Sequence, residues 1–164
     1  MPNEVRVRKA LADDAPAILQ LVDGLAAYER LTPPDDGAKR RLIKDMFGDR
    51  RRIEAFLAEL DGKPVGYAFV YETYSSFLAL PTMYLEDIFV LPEYRKMKAG
   101  YSLFRAVARE ARLRGCGRME WTVLDWNTPA IEFYRRFGAK HMKEWHLYRL
   151  AGQEIERVTE TSLE

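Results

Sequence analysis

Residues 126–139 read Trp-Asn-Thr-Pro-Ala-Ile-Glu-Phe-Tyr-Arg-Arg-Phe-Gly-Ala, a run that carries the start and stop signals of a short helix. Asn127 is a residue type that caps helix N-termini, and Pro129 fits the first turn because the N–H there has no intrahelical acceptor. Gly138 suits the left-handed backbone that ends many helices. The run therefore predicts a helix over Ala130–Phe137.

A second strand-to-helix junction lies upstream. Met83–Val90 has the composition of a central strand, and Pro92 takes the chain out of the sheet because proline cannot continue the ladder. Ala99–Arg114 keeps apolar residues on one face, which predicts an amphipathic helix packed on a sheet. Free N–H groups at the start of this helix suit a phosphate, and the preceding loop adds the cations Arg95, Lys96 and Lys98. An ordinary solvated loop is the other interpretation.

The remaining elements predict a mixed α/β fold. Asp61-Gly62 supplies the residue types of a tight hairpin turn between two apolar runs. We expect one domain over residues 1–150 and a charged, partly disordered tail over residues 151–164. The other predicted strands are Val5–Arg8, Ile53–Leu60, Val65–Tyr71, Met119–Leu124 and Met142–Leu150. Asp13-Asp14-Ala15-Pro16 signals the start of a helix whose apolar stripe runs from Ile18 to Tyr28, and a second helix is predicted over Ala38–Phe47.

Composition excludes several functional classes. The chain has 164 residues and a formal net charge of +1, so bulk charge does not favour a nucleic acid or a membrane surface as partner. One cysteine and two histidines do not provide the ligand cluster of a zinc site, so we expect no metal. The polar start differs from a signal peptide, and no long uncharged apolar run is present, which predicts a cytoplasmic protein.

The two junctions resemble a known family. Residues 126–139 resemble the C-terminal motif of the GCN5-related N-acetyltransferase (GNAT) superfamily, and the segment from Glu86 to the helix after Gly100 resembles its central acetyl-CoA motif. The chain also resembles the spermidine/spermine N-acetyltransferase branch of this superfamily, so that the likeness covers most of residues 5–150. The segments that carry this second resemblance are Tyr28-Glu29, Met83-Tyr84-Leu85-Glu86-Asp87, Tyr94-Arg95 and Trp126-Asn127. The family fold is a mostly antiparallel central sheet flanked by helices. The likeness also implies a homodimer.

The resemblance implies a set of acetyl-CoA contacts in both motifs. They are Ile88, Phe89, Val90, Arg95, Lys96, Met97, Lys98, Ala99, Gly100, Tyr101, Asn127, Pro129 and Ala130. The loop departs from the family pattern Arg-x-x-Gly-x-Gly, since it reads Arg95-Lys96-Met97-Lys98-Ala99-Gly100 and keeps only the last glycine. Glycine lets a backbone approach a pyrophosphate closely. Lys96 and Lys98 are larger, so their side chains are expected to crowd the cofactor at this loop.

The resemblance also implies catalytic roles. Glu86 corresponds to an acidic residue at the acceptor amine, where it serves as a base directly or through one water; a strand-face carboxylate in an ion pair is the alternative. Strand alternation predicts that Glu86 and Asp87 point to opposite faces. Tyr134 corresponds to the acid that protonates the departing thiolate, with an aromatic core residue as its alternative. The implied amine contacts are Tyr28, Glu29, Glu86, Glu120 and Trp121.

The resemblance implies an acetyl-CoA-dependent N-acetyltransferase. The expected acceptor is a small cationic amine (a polyamine, a diamine or a thialysine-like amino acid), acetylated by direct transfer in a ternary complex. One alternative is a non-catalytic binding or regulatory domain that has lost its phosphate loop, because lysines replace glycines there. The other alternative is an acetyltransferase that acts on a protein amine.

Overall fold

The computed structural model describes residues 4–162. The strands are β1 (Val5–Lys9), β2 (Glu54–Leu60), β3 (Lys63–Ser75), β4 (Leu80–Val90) and β5 (Arg118–Glu120). The helices are α1 (Ala15–Glu29), α2 (Asp36–Phe47), α3 (Ala99–Leu113), α4 (Thr128–Arg136) and α5 (Gly152–Glu160), with 3₁₀ turns at Ala12–Asp14 and Pro92–Met97.

The five strands form one sheet in the order of the chain. Each strand from β1 to β4 pairs antiparallel with the next, and β5 pairs parallel with β4. The mixed, mostly antiparallel sheet flanked by helices is as predicted. The predicted hairpin turn is confirmed too, because Asp61 and Gly62 have φ of 52° and 78° between β2 and β3.

Helices pack on both faces of this sheet. One face forms an apolar core with α1 and α2, built from Ile18, Leu21, Met46, Ala55, Leu57, Tyr67, Phe69 and Phe89. A Cβ added at Gly24 of α1 would lie 3.0 Å from Phe89, whereas one added at Gly100 of α3 would lie 3.9 Å from Val90. Since adjacent strand residues point to opposite faces, α3 packs on the face opposite α1.

The chain divides into two compact units, residues up to Thr122 and residues from Val123 onward. The first contains the whole sheet with α1 to α3, and the second contains α4 and α5. The short helix predicted at Ala130–Phe137 is confirmed as α4, and α4 ends where Gly138 adopts a φ of 78°. The domain boundary predicted at residue 150 stays a prediction.

Three sequence-based assignments differ from the structure. The strand predicted at Met119–Leu124 is the shorter β5, and no strand forms over Met142–Leu150, so that prediction was wrong. Alternating polar and aromatic residues give strand propensity, but a strand forms only where another strand pairs with it. The tail predicted to be partly disordered contains α5, with Glu154 in its first turn and Arg157 in its last turn, as the helix dipole favours.

Candidate active site

The pairing of β3 with β4 is irregular at Glu86. Phe69 pairs with Asp87, but the next residue, Val70, pairs with Leu85, so Glu86 has no opposite residue. This extra residue is a β-bulge. Phe69 and Val70 point to opposite faces of the sheet, so their partners Asp87 and Leu85 also point to opposite faces. In a regular strand, two residues that are two positions apart would point to the same face.

Both carboxyl groups at the bulge act on one tyrosine. Tyr67 of β3 is 0% exposed, and burial raises the pKa of its phenol, with further contributions from the charges of Asp87 and Glu86. Asp87 accepts a hydrogen bond from Tyr67 and Glu86 acts on Tyr71, and these two tyrosines share a face because they lie four residues apart on β3. The expectation that alternation separates the two carboxyl groups onto opposite faces was therefore wrong, because the bulge interrupts the alternation. Both groups share the environment of Tyr67.

Asp87 is the most perturbed carboxyl group of this region. Burial raises its pKa to about 6, and the charges of Glu86 and Glu29 act in the same direction. The Tyr67 hydroxyl donates a hydrogen bond to Asp87 Oδ2 at 3.2 Å, which opposes the rise because it stabilises the ionised form. Burial also raises the pKa of Glu29, at the C-terminal end of α1. Three carboxyl groups from two elements thus influence one another electrostatically.

Two further tyrosines extend this surface along the strands. Burial and the neighbouring Glu86 raise the pKa of Tyr71, whose ring centroid lies 5.1 Å from that of Tyr84. We call the group Glu29, Tyr67, Tyr71, Tyr84, Glu86 and Asp87 the carboxylate–tyrosine surface. Carboxylates and aromatic rings both attract cations, so this surface suits a positively charged ligand.

The structure places the other predicted amine contacts differently. Tyr28 of α1 lies near the sheet, with its ring centroid 6.4 Å from that of Phe89. Glu120 pairs with Tyr84 in the β4–β5 register and forms an ion pair with Arg118 at 2.9 Å. Trp121 packs edge-on against Phe104 of α3, with ring centroids 5.4 Å apart, and so lies on the face opposite α1. Glu29 and Glu86 therefore both lie near Asp87, whereas Trp121 lies on the other face of the sheet.

Arg95 connects the loop after β4 to α1. Its guanidinium lies over the Tyr28 ring at 4.2 Å and near the Phe89 ring at 5.8 Å. Its Nε donates to the carbonyl oxygen of Val90 at 3.1 Å. Arg95 therefore stacks on an aromatic residue predicted to contact the amine, in addition to its predicted place in the phosphate loop.

The second edge of β4 is open where the predicted acetyl-CoA contacts begin. β5 pairs with β4 only at Thr82, Met83 and Tyr84. Among the described residues, β4 has no strand partner on that edge from Leu85 to Val90. Backbone N–H groups between Ile88 and Val90 that face this edge thus have no strand partner there and suit a ligand, whereas the Val90 carbonyl oxygen already accepts from Arg95.

The loop that follows has an unusual backbone. Pro92–Met97 forms a 3₁₀ turn, and Lys98 then adopts a left-handed conformation with φ of 64° before α3 begins at Ala99. The carbonyl oxygen of Lys98 accepts the N–H of Ser102 at 2.9 Å, while no side chain caps the helix. A left-handed conformation favours glycine, which is the residue the GNAT pattern has at this position. A lysine therefore keeps the loop shape at a conformational cost.

The start of α3 leaves room for a ligand. A Cβ at Gly100 would meet only Val90 Cγ2, at an ordinary contact distance of 3.9 Å, so packing within the protein does not require glycine there. Helix geometry leaves first-turn N–H groups, those of Ala99 and Gly100 among them, without an intrahelical acceptor. With the nearby side chains of Lys96 and Lys98, these groups suit a phosphate anion.

The second unit contains the other predicted residues. Asn127 is 8% exposed and caps α4, since its side-chain oxygen accepts the N–H of Ala130 at 3.4 Å, and Pro129 lies in the first turn. Tyr134 is 8% exposed and packs edge-on against Phe133, with centroids 5.4 Å apart. The cap predicted at Asn127 is confirmed.

Asp87, Tyr67 and Tyr71 were missed as candidate site residues. Alternation assigned Asp87 to the wrong environment because a bulge leaves no mark in the sequence of one strand. Tyr67 and Tyr71 lie in an apolar run where aromatic residues are typical of strands. The available signal was the adjacent pair of acids inside an otherwise apolar strand.

Replacing Asp87 with asparagine is expected to change how stability depends on pH. The raised pKa means that the contribution of Asp87 to stability is greatest below about pH 4 and is lost as the pH rises through about 6, where its partly buried carboxyl group ionises. Asparagine does not ionise, so the free energy of unfolding of Asp87→Asn relative to wild type should increase by about 2 kcal/mol between pH 4 and 7. Denaturant titrations across this range measure the difference. The exposed Asp49→Asn is the control, and a difference that is constant with pH would contradict the prediction.

The described part of the chain contains neither a side-chain cluster for a metal ion nor a helix suited to span a membrane. Within residues 4–162, no group of three or more histidine, cysteine, aspartate or glutamate residues is arranged to hold a metal ion. No helix in that range is both long enough and apolar enough to cross a membrane.

Comparison with known proteins identifies the family. The model of the acetyltransferase (GNAT) family matches residues 19–139. Thialysine N-epsilon-acetyltransferase of Bos taurus is 34% identical over 94% of this chain and 96% of its own length. L-ornithine N5-acetyltransferase NATA1 of Arabidopsis thaliana is 30% identical over 96% of this chain and 89% of its own.

A solved structure shows the same fold. The aminoglycoside N-acetyltransferase AAC(6')-Iy in complex with CoA superposes with a TM-score of 0.75 at 22% identity, covering 92% of this chain and 97% of the other. The family match spans both strand-to-helix junctions and the strands β2 to β5. The chain therefore belongs to the GNAT family and is an N-acetyltransferase.

Proposed function

We propose that this N-acetyltransferase transfers the acetyl group of acetyl-CoA directly to a primary amine of a small cationic molecule, with both substrates bound together. The observation that carries the proposal is the carboxylate–tyrosine surface at the Glu86 bulge. Two relatives are named for thialysine and ornithine, amino acids that carry a side-chain amine. Such amino acids, diamines and polyamines are the acceptor classes that we propose.

Acceptor binding follows from charge. An alkyl amine has a pKa near about 10, so at neutral pH it is an ammonium ion without a free lone pair. Glu29, Glu86 and Asp87 attract such a cation. Because Glu86 is exposed, whereas Asp87 is partly buried, Glu86 is the group that removes the proton from the amine, directly or through one water.

The residues at the second β4 edge and at the start of α3 fit acetyl-CoA. The space beside Gly100, the first-turn N–H groups and the cations of Lys96 and Lys98 suit its pyrophosphate. When bound, acetyl-CoA supplies an acetyl thioester, whose thiolate needs a proton when it departs. Backbone N–H groups between Ile88 and Val90 donate to the carbonyl oxygen as negative charge develops there.

Residues of the second unit complete the proposal. Tyr134 supplies the proton for the departing thiolate, since no histidine or cysteine in the family motifs is available for this step. Asn127 caps α4 and also contacts the pantetheine arm. A cytoplasmic location and a homodimer are further parts of the proposal.

The proposal is tested by release of free CoA thiol from acetyl-CoA across a panel of amines. The panel contains spermidine, short diamines, thialysine, ornithine, neutral monoamines and a lysine-containing peptide. We expect turnover with one or more of the small cationic amines. Turnover with the peptide alone would favour a protein acceptor, and no binding of acetyl-CoA at millimolar concentration in calorimetry would favour a non-catalytic domain.

Replacing Lys98 with glycine is expected to stabilise the protein and to retain acetyl-CoA binding, because the closer backbone approach that glycine allows offsets the loss of one cation. Glycine adopts the φ of 64° without strain, so the free energy of unfolding should rise by about 0.5–1 kcal/mol. Thermal unfolding and calorimetry measure the two effects. Lys96→Gly removes the same charge from the 3₁₀ turn and should give no such gain. A tenfold loss of affinity in Lys98→Gly would instead show that the ammonium group contacts a phosphate.

A further inference from the structure

Tyr67 makes a partly buried hydrogen bond that the proposed reaction does not otherwise use. Its ring packs against Phe69 and Phe89, with centroids 4.4 and 6.4 Å away. Its hydroxyl donates to Asp87 Oδ2 at 3.2 Å. A phenylalanine would provide the same ring packing, so the distinctive contribution of tyrosine here is the hydrogen bond to Asp87.

The groups around Asp87 come from several elements. Glu29 faces it from α1, Tyr67 from β3 and Glu86 from its own strand. A positively charged group in this region is the guanidinium of Arg95, which lies over the Tyr28 ring and near the Phe89 ring.

These neighbours oppose one another. Burial and both glutamates favour the protonated form of Asp87, whereas Tyr67 is the one described group whose effect lowers the Asp87 pKa. The result is a pKa of about 6, which leaves Asp87 mostly ionised at neutral pH. Loss of the phenolic donor would move the pKa towards neutrality, where the carboxyl group takes up a proton and loses its attraction for a cation.

We propose that Tyr67 is a positioning residue, which orients the Asp87 carboxylate and keeps it charged for the cationic acceptor. This inference rests on the proposed function. Asp87 then contributes attraction to the amine, while proton removal belongs to Glu86. The two adjacent acids thus have different roles, which the different exposures of their side chains allow.

The test compares wild type, Tyr67→Phe, Asp87→Asn and the double variant. In Tyr67→Phe, the carbon-13 NMR titration of the Asp87 carboxyl group should move up by about one pH unit. The KM for the best amine should rise about threefold at pH 6.5, because the ionised fraction of Asp87 falls by about that factor, and kcat should stay close to the wild-type value. The defect in KM should shrink above pH 8, because Asp87 is then ionised in both proteins. Tyr74→Phe, at a side chain that is 66% exposed, is the matched control.

The double variant separates positioning from a purely structural role. Its KM should equal that of Asp87→Asn, because the hydroxyl acts only through the carboxylate. A lower melting temperature with an unchanged titration and an unchanged KM profile would overturn the inference, and so would additive effects. If Tyr67→Phe does not fold, Asp87→Asn must still show a raised KM that high pH does not restore; an unchanged KM would overturn the inference. A wild-type protein that binds and acetylates no amine would instead contradict the proposed function, and the Asp87 titration would still report on the hydrogen bond.

Discussion

Tyr134→Phe is expected to lower kcat by about 10²-fold while changing the affinity for acetyl-CoA by less than about threefold. The variant removes one oxygen and keeps the ring, which packs edge-on against Phe133 in a buried position. The fold of α4 should therefore persist, because the helix is ended by the backbone carbonyl of residue 134, which accepts the N–H groups of Phe137 and Ala139. The variant therefore tests the hydroxyl group that we propose as the proton donor to the departing thiolate.

Steady-state kinetics with the best amine and calorimetry with acetyl-CoA measure these two quantities separately. Tyr148→Phe, at a side chain that is 90% exposed in the same unit, is the matched control and should behave as wild type. Equal losses in kcat and in cofactor affinity would identify Tyr134 as a packing residue. An unchanged kcat would remove it from the role of acid.

Local signals predicted most of the fold. Asp61-Gly62 specifies a hairpin because both residues tolerate positive φ, and Asn127 with Pro129 and Gly138 specifies both ends of α4. The amphipathic pattern of α3 fixed its buried face in the same way. Each of these signals depends on the chemistry of a few neighbouring residues, so no knowledge of distant contacts is needed.

Features that depend on pairing between distant residues were not predictable. The bulge at Glu86 exists only in the register between β3 and β4, and the same sequence would alternate regularly in a different register. The segment Met142–Leu150 has strand-like alternation but gains no partner in the described part of the chain. Both errors concern strands, because strand structure is decided by a neighbour that may lie far away in sequence.

The phosphate loop combines features that the sequence predicts with features that depend on distant contacts. The positions of Arg95 and Gly100 follow from the family resemblance, but the stacking of Arg95 on Tyr28 requires α1 to pack beside the loop. The left-handed backbone at Lys98 is also a property of the folded loop. The family pattern of glycines was the only available signal for that conformation, since lysine itself gives none.

Replacing Glu86 with glutamine should give the second large effect. The variant keeps the size and a hydrogen-bonding side chain at the exposed bulge position but cannot accept a proton from the amine. We expect kcat/KM for the amine to fall about 10²- to 10³-fold at pH 7, with acetyl-CoA binding unchanged. Glu93→Gln, at an exposed glutamate in the neighbouring 3₁₀ turn, is a matched control for loss of one negative charge.

The pH dependence distinguishes a base from a simple counter-charge. As the pH approaches the amine pKa of about 10, a growing fraction of the amine is already unprotonated and needs no base, so the defect of Glu86→Gln should shrink towards tenfold or less. If Glu86 acted only by attracting the ammonium ion, the variant would bind the cation more weakly, and its defect would appear in KM with kcat unchanged. A defect confined to KM at pH 7 would therefore assign Glu86 to amine binding, and the proton would have to leave through another group or through water.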